Sequence, residues 1–223
     1  RQACLCTRKS TRLEVSKRMY RMRFTELVKD DLTLQQLRGM EGVRVRDAYG
    51  RISRLTGVPW TGRSYNRGNW NSADPINRAL SCANSCLYGV CHAAIVAAGY
   101  HPGLGFIHTG KMLSFVYDIA DLYKVDGTIP VAFQAVRDGC KNLEREVRLR
   151  CRDAFSSSRI LDRIVKDIEF VLDIPVASED SDLGDYDSDP ALPGPLWDPD
   201  RPSGVEGGIS YDDRDAPPEE ETA

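Results

Sequence analysis

The stretch TLQQLRGMEGVRVRDAYGRISRLTGVP (33–59) decides the fold class. Thr33 is an N-cap residue, and the run behind it continues to about Leu55 before Gly57 and Pro59 stop it. Leu34, Leu37, Val45, Ala48, Ile52 and Leu55 follow a 3–4 spacing, which predicts a helix with one buried stripe. Where the stripe skips a turn, between Leu37 and Val45, the residue filling it is Glu41. A carboxylate facing a core is costly unless it is paired, protonated or bound to a cation. Gly39 and Gly42 flank it, two poor helix formers expected to admit a neighbouring backbone or a ligand. A pairing with Arg38 or Arg44 on the same helix is the plainer answer to the pattern.

Working outward, helical patterns recur between Gly, Pro and Asn signals. A first helix is predicted from Ser10 to Val28, and residues 57–73 form a polar loop with interspersed aromatics and arginines. Asp74 and Pro75 open a third helix, rich in small residues, that ends at Gly99. HPGLGFIHTG (101–110) reads as a loop, followed by helices at Ser114–Lys124, Pro130–Arg137, 142–155 and 158–174. No alternating strand and no internal repeat is found, so the body (1–175) is expected to be all-α. Residues 176–223 are acidic and rich in Pro and Gly, and read as a disordered tail. Trp197 and Tyr211 within it are either docking points or chance.

The net charge of −3 hides two unlike halves. Residues 1–175 hold 28 Lys and Arg against 18 Asp and Glu, while residues 176–223 hold 2 against 15. A basic body suits a polyanion, through counterion release from phosphates; an arginine-rich solvated surface is the plainer alternative. The seven cysteines include no CxxC pair, so buried reduced thiols in a reducing cytoplasm are expected. No apolar signal sequence or bilayer-length apolar span is apparent, and no membrane association is expected. The chain opens at Arg1 within helical-looking sequence, so a start in mid-protein is expected.

Chemistry-bearing residues gather near the middle. His108 lies in the glycine-bounded GFIHTGK, where simple exposure is the plain reading. Asp118 and Asp121 follow at i and i+3, neighbours on one helix face, where they repel without a cation or proton nearby. One His and three carboxylates form a mixed N/O donor set for Mg²⁺ or Mn²⁺, or else an exposed acidic edge. Lys111 lacks the glycine spacing and following Ser/Thr of a phosphate-binding Walker motif. Trp60, Tyr65 and Tyr88 are candidates for stacking on bases, although Tyr88 also fits a core. Arg145 and Arg148 present adjacent forks for phosphates or for salt bridges with Glu144 and Glu146. Arg38, Arg44 and Arg46, beside Glu41, complete the candidate DNA contacts.

LRGMEGVRVRDAY (37–49), SCLYGV (85–90), GFIHTGKMLSFVYDIADLYK (105–124) and REVRLRCRD (145–153) together resemble the CRISPR-associated spacer-acquisition integrases of type I-E systems. The similarity runs in one register from about residue 2 to residue 174. It implies that Glu41, His108 and Asp121 are divalent-metal ligands, with Asp118 a further acidic residue needed nearby. It also implies that Tyr65, Tyr88 and Lys111 recognise the end of incoming DNA, and that Arg145 and Arg148 contact phosphates. The family joins an N-terminal β domain to a C-terminal helical one, dimerises, and clasps a small ferredoxin-like companion that its tail commonly contacts. The β domain is expected to be missing from this sequence.

The chemistry so implied is transesterification: a DNA 3′-hydroxyl attacks a phosphodiester at the leader–repeat junction, and Mg²⁺ or Mn²⁺ acts as Lewis acid. Activity is expected to fall as pH drops through the histidine range. A stand-alone nuclease of branched DNA and a non-catalytic DNA-binding scaffold are the competing readings.

Overall fold

The computed structural model describes residues 1–24, 26, 28–63, 74–173, 196–198 and 201–205. The chain divides into two units, 1–176 and 177–223. The first holds eight helices among the described residues: α1 (Gln2–Thr7), α2 (Lys9–Arg21), α3 (Leu34–Thr56), α4 (Pro75–Ala97), α5 (Ser114–Ala120), α6 (Thr128–Arg137), α7 (Leu143–Ser157) and α8 (Ile160–Leu172). The all-α expectation for the body is met.

Local chemistry explains the long helices. Thr33 accepts from the Gln36 N–H and Gln36 reaches back to the Thr33 N–H, a full capping box, and Gly57 closes α3 at φ +71. Asp74 caps α4 by accepting from the Asn77 N–H at 2.8 Å, with Pro75 in the first turn. α4 packs against α5, α6, α7 and α8 and forms the middle of the core, with Leu80, Leu87 and Ile95 inaccessible to solvent. Phe115, Ile119, Phe133, Ile164 and Ile168 meet it from the surrounding helices. By length and mean apolar composition α4 is also long enough to cross a bilayer, but Asn77, Arg78, Ser81 and Asn84 interrupt it and its apolar residues pack in the core.

Three expectations are corrected. The predicted first helix (Ser10–Val28) is shorter, since α2 ends at Arg21, and a further helix, α1, precedes it across Arg8, extended at φ −83 and ψ 124. The α3 stripe is not a core stripe, since only Leu37 on that helix is buried and Leu55 is 73% exposed. α3 is held instead by Leu37, by Tyr49 and Ile52 packed part-buried against the core, and by the ion pair of Glu41 with Arg23. Gly39 and Gly42 admit nothing close, because a Cβ at either position would meet open space.

In the second unit, Leu196–Asp198 (β1) and Arg201–Val205 (β2) pair antiparallel, with Leu196 opposite Val205 and Asp198 opposite Arg201. The sequence reading foresaw no strand. A three-residue strand is too short for a period-2 pattern, and its ladder hydrogen bonds are made with another segment.

Candidate metal centre

The loop before α5 is built around one carboxylate. Asp118 is fully buried and accepts four hydrogen bonds: Oδ2 from the Phe106 and Ile107 N–H groups (2.6 and 3.1 Å), Oδ1 from the His108 N–H (2.8 Å) and from His108 Nδ1 (2.7 Å). The N-terminal helices clamp the same loop. Gln2 donates to the His101 and Leu104 carbonyls at 3.0 Å each, and Arg12 donates to the Phe106 carbonyl at 3.1 Å. Gly105 sits where a Cβ would lie 2.4 Å from the His108 carbonyl oxygen, so no side chain fits there.

This geometry sets the tautomer of His108. A carboxylate accepts and never donates, so Nδ1 carries the proton and Nε2 is left as a bare donor atom. Nε2 faces Asp121 Oδ2 at 4.0 Å. The hydrogen bond to Asp118 raises the His108 pKa; partial burial opposes that shift, while the charges of Asp118 and Asp121 add to it.

Asp121 caps the C-terminal end of α5 and looks the other way. Its Oδ1 pairs with Lys124 Nζ at 2.6 Å, and its Oδ2 lies 3.7 Å from Arg23 Nη1. The same Arg23 nitrogen lies 3.3 Å from Glu41 Oε1, so two of the candidate ligands share one guanidinium. Arg44 forks onto Glu41 with contacts of 2.8 and 3.1 Å. Burial works against the charge on Lys124, but Asp121 and Tyr88 together outweigh it and raise its pKa.

The structure thus places His108 Nε2 near Asp121 and links Asp121 to Glu41 through Arg23. Among the described residues no three His, Cys, Asp or Glu side chains converge closely enough to hold a metal. A cation nevertheless sits between Glu41 and Asp121, supplied by Arg23. The donor chemistry fits Mg²⁺ or Mn²⁺: one imidazole nitrogen freed by its neighbour, and two carboxylates that already share a positive charge. Pairing within α3 was the plainer reading of Glu41, and its Arg44 half is present; Arg38 is exposed.

The predicted repulsion between Asp118 and Asp121 is relieved by divergence rather than by a shared cation. Asp118 turns to backbone N–H groups and Asp121 to Lys124 and Arg23. Asp118 therefore has no oxygen directed at the site and acts through His108, which makes it a positioning residue.

The other predicted residues separate. Tyr88 borders the site: Lys124 Nζ lies 5.0 Å from its ring centre, and Tyr117 bridges it edge-on to the His108 ring. Lys111 is exposed three residues beyond His108. Arg46 is exposed beside Asp47. Arg145 and Arg148 are exposed on α7, and the predicted salt bridges are not theirs, because Glu144 takes Arg78 and Glu146 takes Arg150. Trp60 stacks on Tyr49 with ring centres 4.3 Å apart, so its face is covered within the protein rather than offered to a base. Tyr65 lies outside the described residues. Sequence reasoning missed Arg23, whose partners are 18 and 98 positions away along the chain and carry no local signal. Lys124 was within reach, being three residues from Asp121 on the same turn.

Residues 2–142 match the family model described as CRISPR associated protein Cas1. The chain is 53% identical over 211 residues to a protein of Thermus thermophilus called CRISPR-associated endonuclease Cas1 2, covering 95% of this chain and 64% of the relative. It is 48% identical over 171 residues to the CRISPR-associated endonuclease Cas1 of Escherichia coli, covering 77% of this chain and 56% of that one. Among solved structures it is similar to a crystal structure of a TtCas1–DNA complex, with a TM-score of 0.71 and 54% identity over 77% of this chain and 64% of the other. The chain thus spans somewhat less than two thirds of these relatives.

Proposed function

The chain belongs to the CRISPR-associated Cas1 family, and on that premise we propose that it is the catalytic helical part of a metal-dependent DNA integrase and endonuclease that inserts short DNA fragments into a CRISPR array. The observation that carries this reading is the His108 arrangement: Asp118 holds the Nδ1 proton, and Nε2 is turned toward Asp121 beside Glu41. The names of the relatives and the DNA complex of the structural neighbour support a nuclease that acts on DNA.

Glu41, His108 and Asp121 would hold Mg²⁺ or Mn²⁺, which supplies Lewis acidity toward a phosphoryl oxygen. The chain's own work is to present that donor set and to position DNA. In the neutral imidazole Asp118 holds the proton on Nδ1, which leaves Nε2 free and aimed. Tyr88, with Tyr117 against the imidazole, offers an aromatic edge for a terminal base, and Lys111, Arg145 and Arg148 offer phosphate contacts. In the reaction the 3′-oxygen of the fragment bonds to phosphorus at the leader–repeat junction while the bond to the existing 3′-oxygen breaks. One phosphodiester replaces another, so no ATP is required. With water in place of the 3′-hydroxyl the same site cleaves.

A dimer and a small ferredoxin-like companion complete the working assembly in this reading, and the acidic second unit contacts the companion. Deletion of residues 177–223 is expected to weaken that complex; undiminished assembly would reject the tail's role. Seven free cysteines agree with a reducing cytoplasm.

The test is strand transfer of a fluorescent duplex into a plasmid carrying the repeat, with the companion present and Mg²⁺ or Mn²⁺ supplied. Joined product lost with EDTA and with His108→Ala is the expected result. Cleavage without joining would reduce the protein to a nuclease. Tight DNA binding with neither reaction, in a folded complex, would leave a scaffold and reject the metal assignment.

A further inference from the structure

We propose that Arg23 is the resident counter-ion of the candidate metal site: it holds Glu41 and Asp121 together while no divalent ion is bound and gives way when one binds. This rests on the metal reading above.

Arg23 follows α2, its side chain is 3% exposed, and a single nitrogen, Nη1, meets both carboxylates. Its Nε and Nη2 are buried and have no hydrogen-bond partner, although the guanidinium lies over the Tyr20 ring at 4.8 Å. A buried guanidinium with two unsatisfied nitrogens is held mainly by charge, not by a saturated hydrogen-bond network. Three cations, Arg23, Arg44 and Lys124, already neutralise Glu41 and Asp121 without a metal, while Asp118 bonds backbone N–H groups and His108. A divalent ion between Glu41 and Asp121 would sit within a few ångströms of Arg23, in space that Nη1 now fills. Repulsion and lost attraction then act together, and the burial of Arg23 is no longer compensated.

There is room for the displaced group. Arg23 lines a cleft of about 810 Å³ that opens along α3, and Asp47 and Asp126, both exposed, line the same cleft. Either offers a guanidinium a hydrated carboxylate. Arg44 and Lys124 differ from Arg23 in this respect, since each is bonded to its carboxylate at the periphery of the pair rather than between them. Among the described residues Arg23 alone bridges the two.

The experiment is a Mn²⁺ titration of the full chain, followed by the free-ion signal in electron paramagnetic resonance, for wild type, Arg23→Met and His108→Ala. Binding that needs His108 and becomes about 10-fold tighter in Arg23→Met is the expected result, since a unit charge is removed from beside the ion. Equal or weaker binding in Arg23→Met overturns the proposal, weaker binding marking Arg23 as an organiser of the loaded site. Binding indifferent to His108, or none, overturns the metal assignment itself and the proposal with it. Should Arg23→Met fail to fold, the guanidinium ¹³Cζ and ¹⁵Nε signals of Arg23 in the wild type, assigned by their loss in Arg23→Lys, decide the matter during a Mg²⁺ titration. They are expected to move with metal occupancy; signals unchanged at saturation reject displacement.

Discussion

Asp118 and Asp121 stand one helical turn apart, yet they belong to two differently built regions. The loop at 106–108 wraps Asp118 with three backbone N–H groups and one imidazole, at zero solvent exposure. Asp121 and Glu41 are instead satisfied by side-chain cations, Arg23, Arg44 and Lys124, and remain 21% and 13% exposed. Backbone donors cannot leave without unfolding the loop, whereas cations on flexible stems can be replaced. Two carboxylates of one helix face are thereby assigned different work, one to fix the scaffold and the other to stay available.

The largest expected effect comes from removing the fixed member. Asp118→Ala strips a buried acceptor from three N–H groups and the imidazole, and is expected to cost on the order of 3–5 kcal/mol in urea unfolding. A loss under 1 kcal/mol, on the order of an ordinary surface change, would break the contrast. Asp121→Asn should cost only about 1 kcal/mol in the same assay, because Lys124 reaches solvent and Arg23 keeps its contact with Glu41, while Mn²⁺ binding is abolished. Equal destabilisation by the two variants would show that the regions are alike.

A pH series sharpens the same comparison. The folded pKa of His108 is raised above its unfolded value, chiefly by the Asp118 hydrogen bond. Its contribution to stability is therefore full below the unfolded histidine pKa of about 6.5 and is lost as pH rises through the folded value. Unfolding in EDTA between acidic and mildly alkaline pH should show this decline in wild type and a flatter profile in His108→Gln. Metal affinity should run the opposite way, rising with pH as the proton leaves Nε2. Parallel trends would contradict the assigned roles.

The smallest effect concerns thiols on α4, where fixed and available groups again sit on one helix. Cys86 accepts a hydrogen bond from the Cys151 thiol and lies near Arg148, which lowers its pKa to about 7 against the pull of partial burial. Cys91 is pushed up to about 12 by burial. Iodoacetamide at neutral pH should label Cys86 well before Cys91, as read by peptide mass spectrometry. Comparable rates would mean that α4 opens as a unit.

How much of this was legible in the sequence follows the range of the interactions. The ends of α3 and α4 were readable because Thr33 with Gln36, Gly57, and Asp74 with Pro75 act within one turn. The candidate ligands were nameable because Glu41 interrupts an apolar spacing and His108, Asp118 and Asp121 lie close in sequence; long motifs shared with a known family assigned their roles. What Glu41 touches was not readable. Its stripe suggested a core, but α3 buries only Leu37, and a helical period records which residues share a face without recording how deeply that face is covered.

The sequence by itself determined an all-helical body, its main helix boundaries and the candidate donor residues, since capping, periodicity and short motifs are local. Only the tertiary structure decided that Asp118 bonds His108, that Arg23 bridges Glu41 and Asp121, and that the break at Arg8 gives two N-terminal helices, whose Gln2 and Arg12 hold the loop carrying His108. Each of those outcomes depends on groups distant in sequence meeting in space, where burial and Coulomb attraction are set by the packed neighbours and not by the residues alongside in the chain.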